Sequence, residues 1–181
     1  MERITKHLCS LLGRIFIISS PFATKNWGGD AEVSNNETDY ESLDNFISYE
    51  EGDLTSIMKT PESVFFIYFC MSSKVEVFSI ANGFIICDGL YFNESWDYTK
   101  ELNFNTISEI DLDFNVVGGA VYIYDATLDG ESVLLSSSIS KEWSDRFRID
   151  MIDGFYSVSR VETSVLVNGQ EVLLKGVMIN Y

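Results

Sequence analysis

Basic residues are scarce in this chain: 12 Lys and Arg stand against 28 Asp and Glu, a formal net charge of −16. Phosphate contact requires clustered cations, so the balance excludes a uniformly basic nucleic-acid binder. Histidine is scarcer still. His7 is the only one, and it falls in the N-terminal segment, outside the strand-like stretch of sequence. Ser–His–Asp or Cys–His chemistry is therefore not expected. No GxSxG, P-loop or GxGxxG pattern occurs. The three cysteines, Cys9, Cys70 and Cys87, lack CxxC spacing, which removes the thiolate zinc motifs. Cys70 and Cys87 sit in apolar runs and read as buried strand residues. A disulfide between them would require neighbouring strands, and a reduced, cytoplasmic setting fits the odd set better. Apolar runs of about 18 residues are also missing, so neither a membrane-spanning helix nor a membrane partner is expected. No cofactor, metal site or catalytic residue is assigned, and the chain is expected not to be an enzyme.

Apolar residues make up 46% and aromatics 14% of the 181 residues. That is ample for one folded domain with its own core. Residues 1–25 differ from the remainder, with Arg3, Lys6, Arg14 and Lys25 against Glu2. Ile4, Leu8, Leu11, Leu12, Ile15 and Ile18 recur at three- and four-residue spacing, which predicts a helix over residues 5–18. The alternative is a signal peptide cleaved after Ala23, which would make the protein secreted or periplasmic. Arg14 interrupting the apolar stretch and Pro21 near the cleavage site count against it.

Residues 26–62 form an acidic zone. From Gly28 onward it holds Asp30, Glu32, Glu37, Asp39, Glu41, Asp44, Glu50, Glu51, Asp53 and Glu62 against Lys59 alone. Its first part reads as a loop, and Tyr40, Leu43, Phe46, Ile47 and Tyr49 suggest a short helix capped by Asp39 or Ser42.

Strand patterns dominate residues 63–181. Residues 64–70 are a continuous aromatic and β-branched run, suited to a strand buried on both faces. Residues 107–114 read I-S-E-I-D-L-D-F, with Ile110, Leu112 and Phe114 alternating against Glu109, Asp111 and Asp113. Asn82-Gly83 and Asn168-Gly169 carry the chemistry of two-residue hairpin turns. Asp88-Gly89, Gly118-Gly119, Asp129-Gly130 and Asp153-Gly154 mark further turns, and Val133-Leu134-Leu135 reads as a strand. The fold class predicted is mainly β, an antiparallel sandwich or open barrel of about seven to nine strands with a short N-terminal helical segment.

Three local patterns bear on chemistry. Asp111 and Asp113 share a strand face, but surface acids on an alternating strand account for them more simply than a glycosidase pair. Asp125, Thr127, Asp129 and Gly130 match the front half of a calcium loop. Val133 and Ser136 then stand where the later ligands belong, so a polar loop is expected. Trp96 and Trp143 lie in polar contexts and are candidates for stacking on a sugar or other ligand, or for plugging the ends of a sandwich.

The acidic zone is the main candidate surface. Dense carboxylates speed association with a cationic protein, and aromatics among them act as anchors. The candidate partner-binding set is Asp39, Tyr40, Glu41, Asp44, Phe46, Tyr49, Glu50, Glu51 and Asp53. Residues 146–158, with Gly154, Tyr156 and Val158 in a G-x-Y-x-V pattern, resemble a late element of small acidic bacterial nuclease inhibitors. These are the competence-nuclease inhibitors and similar toxin-immunity proteins. The resemblance covers about 30 residues through the Asn168 hairpin and implies a β-sandwich that inhibits without catalysis. It carries over no functional residue. The leading expectation is a binding protein that neutralises a basic toxin or nuclease by electrostatic docking and occlusion. The alternatives are a secreted carbohydrate- or ligand-binding sandwich using Trp96 and Trp143, and an assembly subunit whose exposed strands pair with copies of itself.

Overall fold

The computed structural model describes residues 2–29, 38, 41, 43, 55–59, 63–70, 74–89, 102–135, 145–167 and 169–181. The strands are β1 (Glu2–Arg3), β2 (Lys6–Leu12), β3 (Ile15–Ser19), β4 (Thr55–Lys59), β5 (Val64–Phe69), β6 (Lys74–Ile80), β7 (Gly83–Asp88), β8 (Asn103–Val116), β9 (Ala120–Asp125), β10 (Arg146–Asp150), β11 (Gly154–Val167) and β12 (Gln170–Asn180). Among the described residues these strands are accompanied by the short helices α1 (Pro21–Lys25) and α2 (Gly130–Leu135).

These strands form two antiparallel sheets. The larger has seven, in the order β1-β8-β11-β12-β7-β6-β2, and the smaller has five, β10-β9-β3-β5-β4. The predicted mainly-β sandwich is the fold observed. Between the sheets lies a core that includes Phe16, Ile18, Phe66, Tyr68, Val77, Phe84, Ile86, Phe114 and Ile179. Phe65 and Ile67, the alternate residues of β5, point the other way. They pack with Ile17, Trp27, Tyr124 and Val133 under a layer that includes α1 and α2. A continuous apolar run is what a strand covered on both faces requires.

The larger sheet is strongly curled. Its two edge strands, β1 and β2, are consecutive in the chain, joined only by Ile4 and Thr5. Ile4 is buried, and the Thr5 amide donates to Ser79 O at 2.8 Å. The sheet therefore wraps until its opposite edges meet, without β1 and β2 forming a ladder with each other. The concave side is filled by a second cluster that includes Ile4, Phe78, Ile85, Cys87, Phe104, Val161, Leu174 and Met178. Register slips in the β8–β11 pairing, between Tyr156 and Val158 and between Arg160 and Val161, supply local twist.

Several sequence expectations give way here. The helix predicted over residues 5–18 is two strands, β2 and β3. Leu8 is skipped in the β2–β6 register, where His7 pairs with Phe78 and Cys9 with Val77. That bulge shifts the alternation by one residue and leaves apolar positions spaced like a helix. His7 consequently belongs to the larger sheet rather than lying outside it. The strand predicted at Val133-Leu134-Leu135 is the end of α2, whose first turn is held by Asp129 Oδ1 accepting from Ser132 N at 2.8 Å. The Asn82-Gly83 turn is displaced by one residue: Ile80 pairs with Gly83, so Ala81 and Asn82 make the loop. Gly83 is needed for close approach, since a Cβ there would stand 1.9 Å from Ile179 O. At the other hairpin Val167 pairs with Gln170, leaving the two-residue loop at 168–169, and Gly169 has φ +79°. Cys70 and Cys87 are buried as expected, and no disulfide joins Cys9, Cys70 or Cys87.

Candidate functional site

Between Gly29 and β4, the described residues of the acidic zone are Thr38, Glu41 and Leu43. Thr38 and Glu41 form a reciprocal capping box: Thr38 N donates to Glu41 Oε2 and Glu41 N donates to Thr38 Oγ1, each at 3.0 Å. Thr38 thus acts as a cap, while the predicted caps Asp39 and Ser42 lie outside the described residues. Two residues on, Leu43 is completely buried in the outer cluster of the smaller sheet with Trp27 and Phe65. Trp27 is fixed in turn, its Nε1 donating to Ala126 O at 2.9 Å and its ring meeting Phe65 edge-on at 5.4 Å. Of the candidate partner-binding residues, Glu41 is described and is exposed. Asp39, Tyr40, Asp44, Phe46, Tyr49, Glu50, Glu51 and Asp53 lie outside the described residues, as do Trp96 and Trp143.

The calcium-loop pattern resolves into local hydrogen bonding. Asp125 Oδ1 accepts from Thr127 N at 3.0 Å and from Thr127 Oγ1 at 2.6 Å, while Asp129 caps α2. The bonds from Ser132 hold the Asp129 carboxyl below its ordinary range. Asp145 is lowered as well, by its hydrogen bond to Arg146 at 2.7 Å. No cluster of His, Cys, Asp and Glu suited to a metal ion occurs among the described residues.

Two features were not visible in the sequence. The first is a polar cluster around Glu76, a side chain only 1% exposed. Its Oε2 meets His7 Nε2 at 2.7 Å and accepts from Ser10 Oγ, and its Oε1 lies 2.7 Å from Lys74 Nζ. Burial, followed by the Glu76 charge, raises the Cys9 and Cys87 thiols, which disfavours a reactive thiolate. Ser10 donates to the carboxylate and not to the imidazole, so the cluster lacks the hydroxyl–imidazole pair of an activated nucleophile. Two partners from β2 and one ion pair from the same strand, β6, surround one buried charge. Residues 7 and 76 are far apart in sequence, and only the β2–β6 pairing brings them together.

The second is a groove of about 680 Å3 between β10 and the β6–β7 turn. Leu8, Phe147, Met151 and Tyr156 supply apolar walls, with Asn82 and Tyr181 at its margin. Tyr156 donates to Ile152 O at 2.9 Å and meets the Tyr181 ring edge-on at 5.4 Å. Ile152, Phe155 and Tyr181 are all more than two-thirds exposed.

Comparison of the chain with protein-family models, with curated proteins and with solved structures finds no match in any of the three.

Proposed function

We propose that this protein is a non-catalytic binding protein that docks a basic protein partner, of the toxin or nuclease kind, and occludes its working surface. The observation that carries the reading is the concentration of charge. Ten acids face one base over residues 28–62 of a chain with net charge −16, and Leu43 within that stretch is buried in the outer cluster of the smaller sheet. A dense set of carboxylates attracts a cationic surface at long range. It also occupies positions where a nuclease would bind phosphates. An odd set of three cysteines without CxxC spacing favours a reducing, cytoplasmic setting.

The test begins with affinity capture from the native source, followed by association kinetics with the purified partner. Raising salt is expected to slow association steeply. Glu50→Lys, Glu51→Lys and Asp53→Lys together are expected to lower the association rate at least about tenfold. Association indifferent to both salt and these substitutions would overturn the reading.

A further inference from the structure

We infer that the free edge of β10 is a self-association surface, at which a second copy of this chain adds its own β10 antiparallel about a two-fold axis at Ile149. This does not rest on the basic-partner reading. In the smaller sheet β10 is an edge strand, with β9 as its one ladder partner among the described residues. Asp145 O accepts from Asp125 N, and Met151 N donates to Gly119 O. At these odd-numbered positions the backbone polar groups face β9. Alternation along an unbulged strand then turns the N–H and C=O groups of Arg148 and Asp150 toward the open edge.

Only some antiparallel registers of β10 with itself let those groups bond, and charge chooses among them. Centring on Arg148 would set two guanidinium groups against each other. Centring on Ile149 sets Arg148 opposite Asp150 of the second copy, and Asp150 opposite its Arg148. These become hydrogen-bonded pairs with opposite charges on the outer face, the favourable cross-strand arrangement. Arg148 and Asp150 already pair within one chain at 2.8 Å and are both exposed, so the groups are at hand without being buried elsewhere. On the inner face the same register puts Phe147 opposite Met151 and Ile149 opposite itself. All three are partly buried apolar residues packed against the core. The groove beside β10 has room for the incoming apolar side chains, and exposed Ile152 and Tyr181 line it. One strand thus presents hydrogen-bonding, charge and apolar patterns that are each complementary to themselves, as a two-fold interface requires.

Two molecules of charge −16 repel, so this association is strengthened by salt. That dependence is opposite to docking on a basic partner, and the two proposals therefore fail separately. Sedimentation velocity on the full chain, over a concentration series at high salt, is expected to show a shift from monomer to dimer. Arg148→Asp is expected to lose the dimer and the double exchange Arg148→Asp/Asp150→Arg to regain it, with circular dichroism confirming that each variant is folded. Ile149→Cys is expected to cross-link two chains on mild oxidation, because facing residues at a non-hydrogen-bonded pair bring their Cβ atoms within disulfide reach. Wild-type protein is expected to stay uncross-linked under the same oxidant. A chain that stays monomeric at every concentration and salt, an Ile149→Cys variant that does not cross-link, or a double exchange that behaves like Arg148→Asp would each overturn the inference. Cross-linking of Ile149→Cys to a different protein in place of its own copy would overturn it in favour of a foreign strand.

Discussion

Glu76 is held by groups on two strands: His7 and Ser10 reach it from β2 and Lys74 from its own strand, all around a carboxylate sealed from water. Removing one member of such a set strands the others, so Glu76→Ala is expected to cost about 3 kcal/mol of stability in urea unfolding. A loss under about 1 kcal/mol would mean that the cluster contributes no more than an exposed pair. Two glycines separate conformational freedom from space. Gly169 has φ +79° with nothing within 4 Å of an added Cβ, so Gly169→Ala is expected to cost only the left-handed strain, about 1 kcal/mol. Gly83→Ala must push the β12 backbone aside at Ile179 O and is expected to cost clearly more, read in the same assay. Acid acts at the carboxyls lowered by hydrogen bonds, Asp129 and Asp145. A carboxyl lowered in the folded state stabilises fully above the ordinary carboxylate range, about pH 4. That contribution is lost as pH falls through the lowered value, because the unfolded chain then binds more protons. Stability is therefore expected to hold from neutral pH down to about pH 4 and to fall below it, less steeply in Asp145→Asn; an unchanged acid limb in that variant would count against the Asp145–Arg146 bond.

Among the elements, β3 decides the most. It is the middle strand of the smaller sheet, paired with β5 and β9, and Phe16, Ile17 and Ile18 are completely buried. Side chains of this kind contribute about 2 kcal/mol each on burial, which together rivals the net stability of a domain. A chain beginning at residue 24 is expected to lose cooperative unfolding and its near-ultraviolet circular dichroism. A truncated protein that melts like the full chain would show that β1–β3 are dispensable. The alternating stretch of β8 over residues 107–114 and the continuous apolar run of β5 were legible in the sequence because their period survives in the sheet. The N-terminal strands were not, because the bulge at Leu8 and the break between β2 and β3 imitate helical spacing. The start of α2 did carry a signal, Asp129 followed three residues later by Ser132, but a six-residue helix offers too few turns to show its periodicity. Glu41 was legible as a surface acid, whereas the Glu76 cluster and the β10 groove depend on which strands become neighbours and have no local signature.

For the whole molecule, the charge of −16 sets opposite expectations for its two proposed encounters. Salt weakens meeting with a cationic protein and eases meeting with a copy, and one salt series on both reactions reads the pair. The sheet whose first and last strands are neighbours in the chain has a consequence for biosynthesis. Strands β1, β2 and β3 leave the ribosome before β8 and β9, yet β1 must find β8 and β3 must find β9, near residues 103 and 120. At roughly 5–20 residues per second, about 100 residues of translation separate β3 from that partner, a wait of roughly 5–20 s. Through that interval Phe16, Ile17 and Ile18 have β5 on one side and still lack β9 on the other, so the nascent chain is a natural client for a holding chaperone.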